Sequence, residues 1–350
     1  ITNVNKYKPK MLADLRITRL DLKEIGVYGV RNLCKALSDA KIISSFRFSE
    51  KVQGAKHLTR LLHSANSFKT LWIVLHPNNS ELSRDGIQSF PRLGRFKHLL
   101  NFEGLFGGLV PPYDAAPDSI IPWNAKIVPY LSQQLKGLYE LKSLTLDACF
   151  LPSKLPTPLT SLSLSLNKGS YDLDGLQKLT SNIQRCHLLE TLKFICYSDD
   201  LMNFDPSEAR IWSSLFENTA PSLKFLRITR YFDDQQQPEA IQIFLEGLKH
   251  LKNLTALDLR FCKNFYFEPL LIANTFLYSL FTSLQNLTHL EDLDLDLEGF
   301  LGVPITEFQH LTSLLQDLKN LKHLDLTLPK MMCSHECLVL LAQSLQNLPD

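Results

Sequence analysis

The chain has 350 residues, of which 45% are hydrophobic and 21% charged. That is enough apolar content for a packed core and too much for a disordered chain. Its 37 Lys and Arg against 36 Asp and Glu leave a net charge of +1, which excludes the basic excess of a general nucleic-acid or membrane-surface binder. No apolar run reaches the roughly 18 residues of a membrane span, and 7 scattered cysteines do not make a disulfide-stapled scaffold.

The thiols are therefore expected to be reduced, in an intracellular, most simply cytoplasmic, compartment. Import into an organelle after removal of a targeting peptide stays open, because the chain begins "ITNVNKYKPK" without a Met. From there on one hexapeptide, L-x-x-L-x-L, recurs. Degenerate copies come first: "LADLRI" at 12, "ISSFRF" at 43, "FKTLWI" at 68 and the poorest, "LLNFEG" at 99. Clear copies follow: "LKSLTL" at 141, "LTSLSL" at 159, "LETLKF" at 189, "LKFLRI" at 223, "LTALDL" at 254, "LEDLDL" at 290 and "LKHLDL" at 321. The second and third leucines lie two apart, the period of a strand, so each copy predicts one short strand with those leucines on a single face.

Between copies the spacing turns helical. In "PEAIQIFLEGLKHLKN" (238–253), Ile241, Leu245, Leu248 and Leu251 share one face, with Pro238 and Glu239 suited to the first turn. "GLQKLTSNIQRC" (175–186) repeats Leu176, Leu179 and Ile183, and "SLLQDLKNLKHL" (313–324) runs helix straight into strand. Each unit thus reads strand, turn, helix, return. One unit cannot bury its apolar face alone, so the units must stack.

The pattern breaks between 104 and 158. "GLFGGLVPPYDAAPDSIIPWNAKIVPY" (104–130) carries five prolines and predicts an irregular insertion, with Tyr113, Trp123 and Tyr130 as candidate interface anchors. The 18-residue step from 141 to 159, through "LPSKLPTP", leaves room for a connection without a helix. A second aromatic cluster, Phe261, Phe265, Tyr266 and Phe267, follows a strand, and core or rim packing is expected for it.

The eleven copies, about 31 residues apart on average, resemble the leucine-rich-repeat family over nearly the whole chain. A full helix between strands makes the ribonuclease-inhibitor type the nearest match. The resemblance implies an α/β solenoid, a horseshoe with an inner parallel sheet and outer helices, running through residues 1–350 as one domain. The family also favours Asn or Cys three residues after the last leucine of each copy, which Cys149, Asn167 and Cys262 satisfy. Tyr197, Tyr231, Glu298 and Pro329 depart from it, so those turns must be held in some other way.

In "LEDLDLDLEGF" (290–300), inward Leu293 and Leu295 force Asp292, Asp294 and Asp296 outward on the concave face. Asp258 and Asp325 add acid at matching places, and Arg227 and Arg260 precede them, so this face is expected to turn from mixed and basic to acidic toward the C-terminus. A solvated strand face accounts for such residues without any function. The sharper expectation is a docking surface for a basic segment of a partner protein. Phosphate-loop, dinucleotide, H-E-x-x-H and G-x-S-x-G signatures are missing, and "CSHEC" (333–337) has no second cysteine pair to complete a metal site. No cofactor, metal, catalytic residue or membrane contact is therefore expected. The function expected from the resemblance is a non-enzymatic protein–protein interaction scaffold, a subunit of a larger assembly. The alternatives are a regulatory module acting on an enzyme such as a GTPase, an enzyme using the carboxylates at 292–296, and RNA binding through Lys193, Arg227 and Arg260.

Overall fold

A computed structural model describes residues 45–51, 69–76, 93, 96, 98–105, 132–148, 152, 154–166, 173–196, 205–219, 221–231, 238–262, 270–298, 305–328 and 335–346. The copy at 12, residues 106–130 of the insertion, Cys149, Asn167 and the "FYF" run at 265–267 lie outside them. The chain divides into two compact units, Ile1–Leu164 and Ser165–Asp350.

In the first unit, strands β1 (Ser45–Lys51), β2 (Thr70–His76), β3 (Asn101–Leu105) and β4 (Ser143–Ala148) pair in parallel and in chain order. Each begins two residues after the first apolar residue of its copy, the poorest copy included. Leu71, Phe102 and Leu144 fall in one register row, and all three are buried. β5 (Ser161–Leu166) follows β4 after the short step predicted for it. The described residues in that step, 152 and 154–160, contain no helix, and Leu155 and Leu159 within it are buried.

In the second unit, β6 (Thr191–Cys196), β7 (Phe225–Tyr231), β8 (Ala256–Cys262), β9 (Asp292–Asp296) and β10 (His323–Thr327) also pair in parallel and in chain order. Helices alternate with them: α1 (Leu173–Ile183), α2 (Pro206–Thr219), α3 (Pro238–Leu248), α4 (Leu270–Leu284), α5 (Ile305–Asp317) and α6 (His335–Leu345). This is the strand–helix coil of an α/β solenoid. Parallel strands require a crossover of this length, and helices covering one face explain why that face is apolar.

The same two devices recur in coil after coil. Approaching β8, β9 and β10, a leucine amide donates to the carbonyl three residues back, from Leu254 to Leu251, Leu290 to Leu287 and Leu321 to Leu318, and these leucines are buried. At strand entry, two successive amides share one carbonyl of the preceding coil. Lys224 and Phe225 donate to Glu190, Thr255 and Ala256 to Lys224, Glu291 and Asp292 to Thr255, and Lys322 and His323 to Glu291. Asn253 and Asn320, from two of the turns, send their side-chain amides to the Pro221 and Thr288 carbonyls. Backbone groups at the turns are thus satisfied between coils as well as within them.

The core lies between the leucine face of the sheet and the helices. Leu192, Leu226, Leu257 and Leu293 form one buried row, and Phe194, Ile228, Leu259 and Leu295 the next. Burying one such side chain is worth about 1.5–3 kcal/mol. Trp212 of α2 meets Phe194 edge-on at 4.5 Å, and Phe216 meets Phe244 of α3 at 5.5 Å. Asp205 caps α2, accepting from the Glu208 amide at 2.8 Å, and buried Glu208 in turn accepts from the Trp212 indole at 3.1 Å. At β10 the pattern relaxes: Leu324 and Leu326 are only half-buried.

Candidate interaction surface

The face of β6–β10 opposite the leucines is a grid set by register. One row reads Thr191, Phe225, Ala256, Asp292, His323; the next Lys193, Arg227, Asp258, Asp294, Asp325; the third Ile195, Thr229, Arg260, Asp296, Thr327. Leu293 and Leu295 are buried, and the three aspartates beside them are partly exposed on this side, as the period-2 argument requires. The shift from basic to acidic runs along the middle row.

Asp258 sits on the expected face but is not an open carboxylate. It is 3% exposed, closed in by the guanidinium of Arg227 on one side and that of Arg260 on the other. Arg260 Nε donates to Asp258 Oδ1 at 2.9 Å, and its Nη2 reaches across to Asp294 Oδ2 at 2.6 Å. Arg227, Asp258, Arg260 and Asp294 thus form one alternating ladder across three strands, two cations against two anions. The hydrogen bonds to Asp258 and Asp294 push the Arg260 guanidinium further above its ordinary range against the cost of burial. Burial raises the Asp294 carboxyl; the Arg260 hydrogen bond opposes that, and the charges of Asp258 and Asp325 add to the rise.

Both arginines are therefore occupied by carboxylates, which removes them from the simplest phosphate-binding scheme. What remains unpaired lies at the two ends of the row. Lys193 has no carboxylate partner among the described residues; its ammonium lies 5.1 Å over the Phe225 ring. Exposed Asp325 makes no ion pair or hydrogen bond among them. Among the described residues, the Asp292 carboxylate has only the His323 ring, 3.8 Å away. Asp296 has a structural duty, because its Oδ1 accepts from the Glu298 amide at 3.0 Å. That bond holds the turn where Glu298 stands in place of the expected Asn or Cys.

Beside the grid, the residues following the first leucine of four copies pair off separately, Lys224 with Glu190 at 2.6 Å and Lys322 with Glu291 at 2.8 Å. Tyr113, Trp123 and Tyr130 lie outside the described residues, as does Cys333 of "CSHEC", whereas Cys337 is buried on α6. Among the described residues no three His, Cys, Asp or Glu side chains converge as metal ligands would. Cys186 is buried, and that burial pushes its thiol up to about 11, too high for appreciable thiolate at neutral pH. No described helix is long and apolar enough to cross a membrane.

The cross-strand links of the ladder and the Lys193–Phe225 contact escape a strand-by-strand reading, because they join residues 31 to 34 apart in sequence. Aligning the copies on their leucines exposes them, since Arg227, Asp258, Asp294 and Asp325 all take the same place within their copies.

No protein-family model and no curated protein matches the chain. Among solved structures, the leucine-rich repeat-containing protein LegL7 from Legionella pneumophila is similar to it, with 13% sequence identity and a TM-score of 0.47 over 96% of this chain and 98% of that one. The architecture described above rests on the strand order, register and leucine burial of this chain.

Proposed function

We propose that this chain is a non-enzymatic protein-interaction scaffold, a subunit of a larger assembly, and that the β9–β10 edge of its sheet receives a basic segment of a partner. The observation that supports this reading is the charge balance of the grid. Once Arg227 and Arg260 are matched by Asp258 and Asp294, the acid left over is Asp292, Asp296 and Asp325, all on the last two strands. A sheet backed by a packed core holds these groups in place before binding, so little conformational entropy is lost on association. Cations are attracted and like charges rejected, which favours specificity and rate of encounter over raw affinity.

The test titrates a lysine-rich peptide against the wild type and against an Asp292→Asn, Asp325→Asn double variant. The variant is expected to bind several-fold more weakly, with a shallower dependence on salt. Equal binding at low and high salt in both proteins is incompatible with docking at this edge. For the assembly role, affinity capture from native extract should recover the same neighbours in fixed proportion.

A further inference from the structure

The grid is polar along its middle row. Its unmatched cation, Lys193, stands on β6, and its unmatched anion, Asp325, on β10, with a self-neutralised ladder between them. Half-buried Phe225 and Ile195 lie beside Lys193, the apolar end of an otherwise polar face. Four steps between neighbouring strands, at about 4.8 Å each, separate the two ends by roughly 19 Å. An extended peptide rises about 3.3 Å per residue, so it covers that distance in about six residues. An even separation also puts both end side chains on the same side of the peptide.

Resting on the docking role above, we propose that this face binds an extended peptide segment laid across the strands, of dipolar character. A carboxylate stands over Lys193, an apolar side chain two residues on packs toward Phe225 on the neighbouring strand, and a lysine or arginine six residues from the carboxylate meets Asp325. A purely basic segment leaves Lys193 opposed by like charge, and a purely acidic one is repelled by Asp292, Asp296 and Asp325. The Arg227–Asp258–Arg260–Asp294 ladder under the middle of the segment offers no net charge and tolerates neutral residues there.

The test uses the blocked heptapeptide acetyl-Asp-Ser-Leu-Ser-Ser-Ser-Lys-amide, titrated by NMR or fluorescence anisotropy against the whole chain. Each surface pair is expected to contribute a two- to five-fold change in affinity. Changing the peptide's Asp to Asn should cost that factor with wild-type protein and nothing with Lys193→Gln. Changing its Lys to Gln should cost it with wild-type protein and nothing with Asp325→Asn. A peptide shortened by two serines can form one pair or the other but not both, and should lose one contribution. Equal losses in wild type and variants, or indifference to the spacing, overturn the proposal. If only the Asp325 pair couples, the dipolar segment is wrong and the basic docking reading stands. If neither couples, or no peptide binds up to millimolar concentration, both fall.

Discussion

Gly247 provides the sharpest test of the packing. It lies at the end of α3 against α2, and a Cβ placed there comes within 2.8 Å of Ser213 Cα, 2.9 Å of its Oγ and 3.0 Å of its Cβ. Two carbons in ordinary van der Waals contact sit about 3.5–4.0 Å apart, so Gly247→Ala requires the two helices to part locally by roughly 0.7 Å or more. A main-chain carbon cannot swing aside as a side-chain tip can. Overpacking of this kind costs about 1–3 kcal/mol, against a gain of about 0.5–1 kcal/mol for removing a glycine from a helix. The net expectation is a loss of about 1–2 kcal/mol, made worse because the same helix pair holds Phe216 against Phe244. Urea unfolding should show a lower midpoint with an unchanged slope. Adding Ser213→Ala removes the clash with the hydroxyl and leaves the clash with the α2 main chain, so recovery should be partial. A Gly247→Ala protein as stable as the wild type, or full recovery with Ser213→Ala, would refute the close approach of α2 and α3.

Asp258→Ala removes the shared acceptor of two arginines. Because Arg227 and Arg260 keep 33% and 43% of their side-chain surface in water, they recover hydration, and the expected loss is about 1–2 kcal/mol rather than the full value of the charge-assisted bonds. Thermal melts measure the loss, and an unchanged melt means that the ladder contributes nothing. For Asp294, the folded-state carboxyl lies above its ordinary 3.8. The native chain therefore holds a proton that the unfolded chain releases, and this group makes stability fall as pH rises from about 3.8 through its folded value. Asp294→Asn should lack that decline, as parallel urea titrations between acid and neutral pH will show; identical pH profiles argue against the shift. Leu295→Ala, at a fully buried site, should cost about 2–5 kcal/mol. Leu326→Ala, at the half-buried equivalent on β10, should cost clearly less, and equal costs from denaturation would contradict the relaxed packing of the last strand.

The alternation of leucines made the strands legible, down to the weak copy at 99, because each inward leucine has a fixed place within its copy. The helix face of Ile241, Leu245 and Leu248 was legible for the same reason and is buried, whereas Leu251, read on the same face, lies past the end of α3 and is buried in the turn that leads to β8. The outward direction of Asp292, Asp294 and Asp296 followed from two neighbouring leucines. What those acids touch did not follow. Asp258 reads as one more surface carboxylate until β7 and β8 are laid in register and two guanidiniums close over it. Periodicity reports the face of a residue, and the chemistry of that face is decided by the coil before and the coil after. Glu208 makes the same point inside the core: a charged residue near a helix start reads as solvated, yet here it is buried and bonded to the Trp212 indole.

At the entries of β7, β8, β9 and β10, two amides of one coil hang on a single oxygen of the coil before it. Loss of one such oxygen frees two amides at once, so hydrogen exchange at the paired amides of one strand entry should rise together.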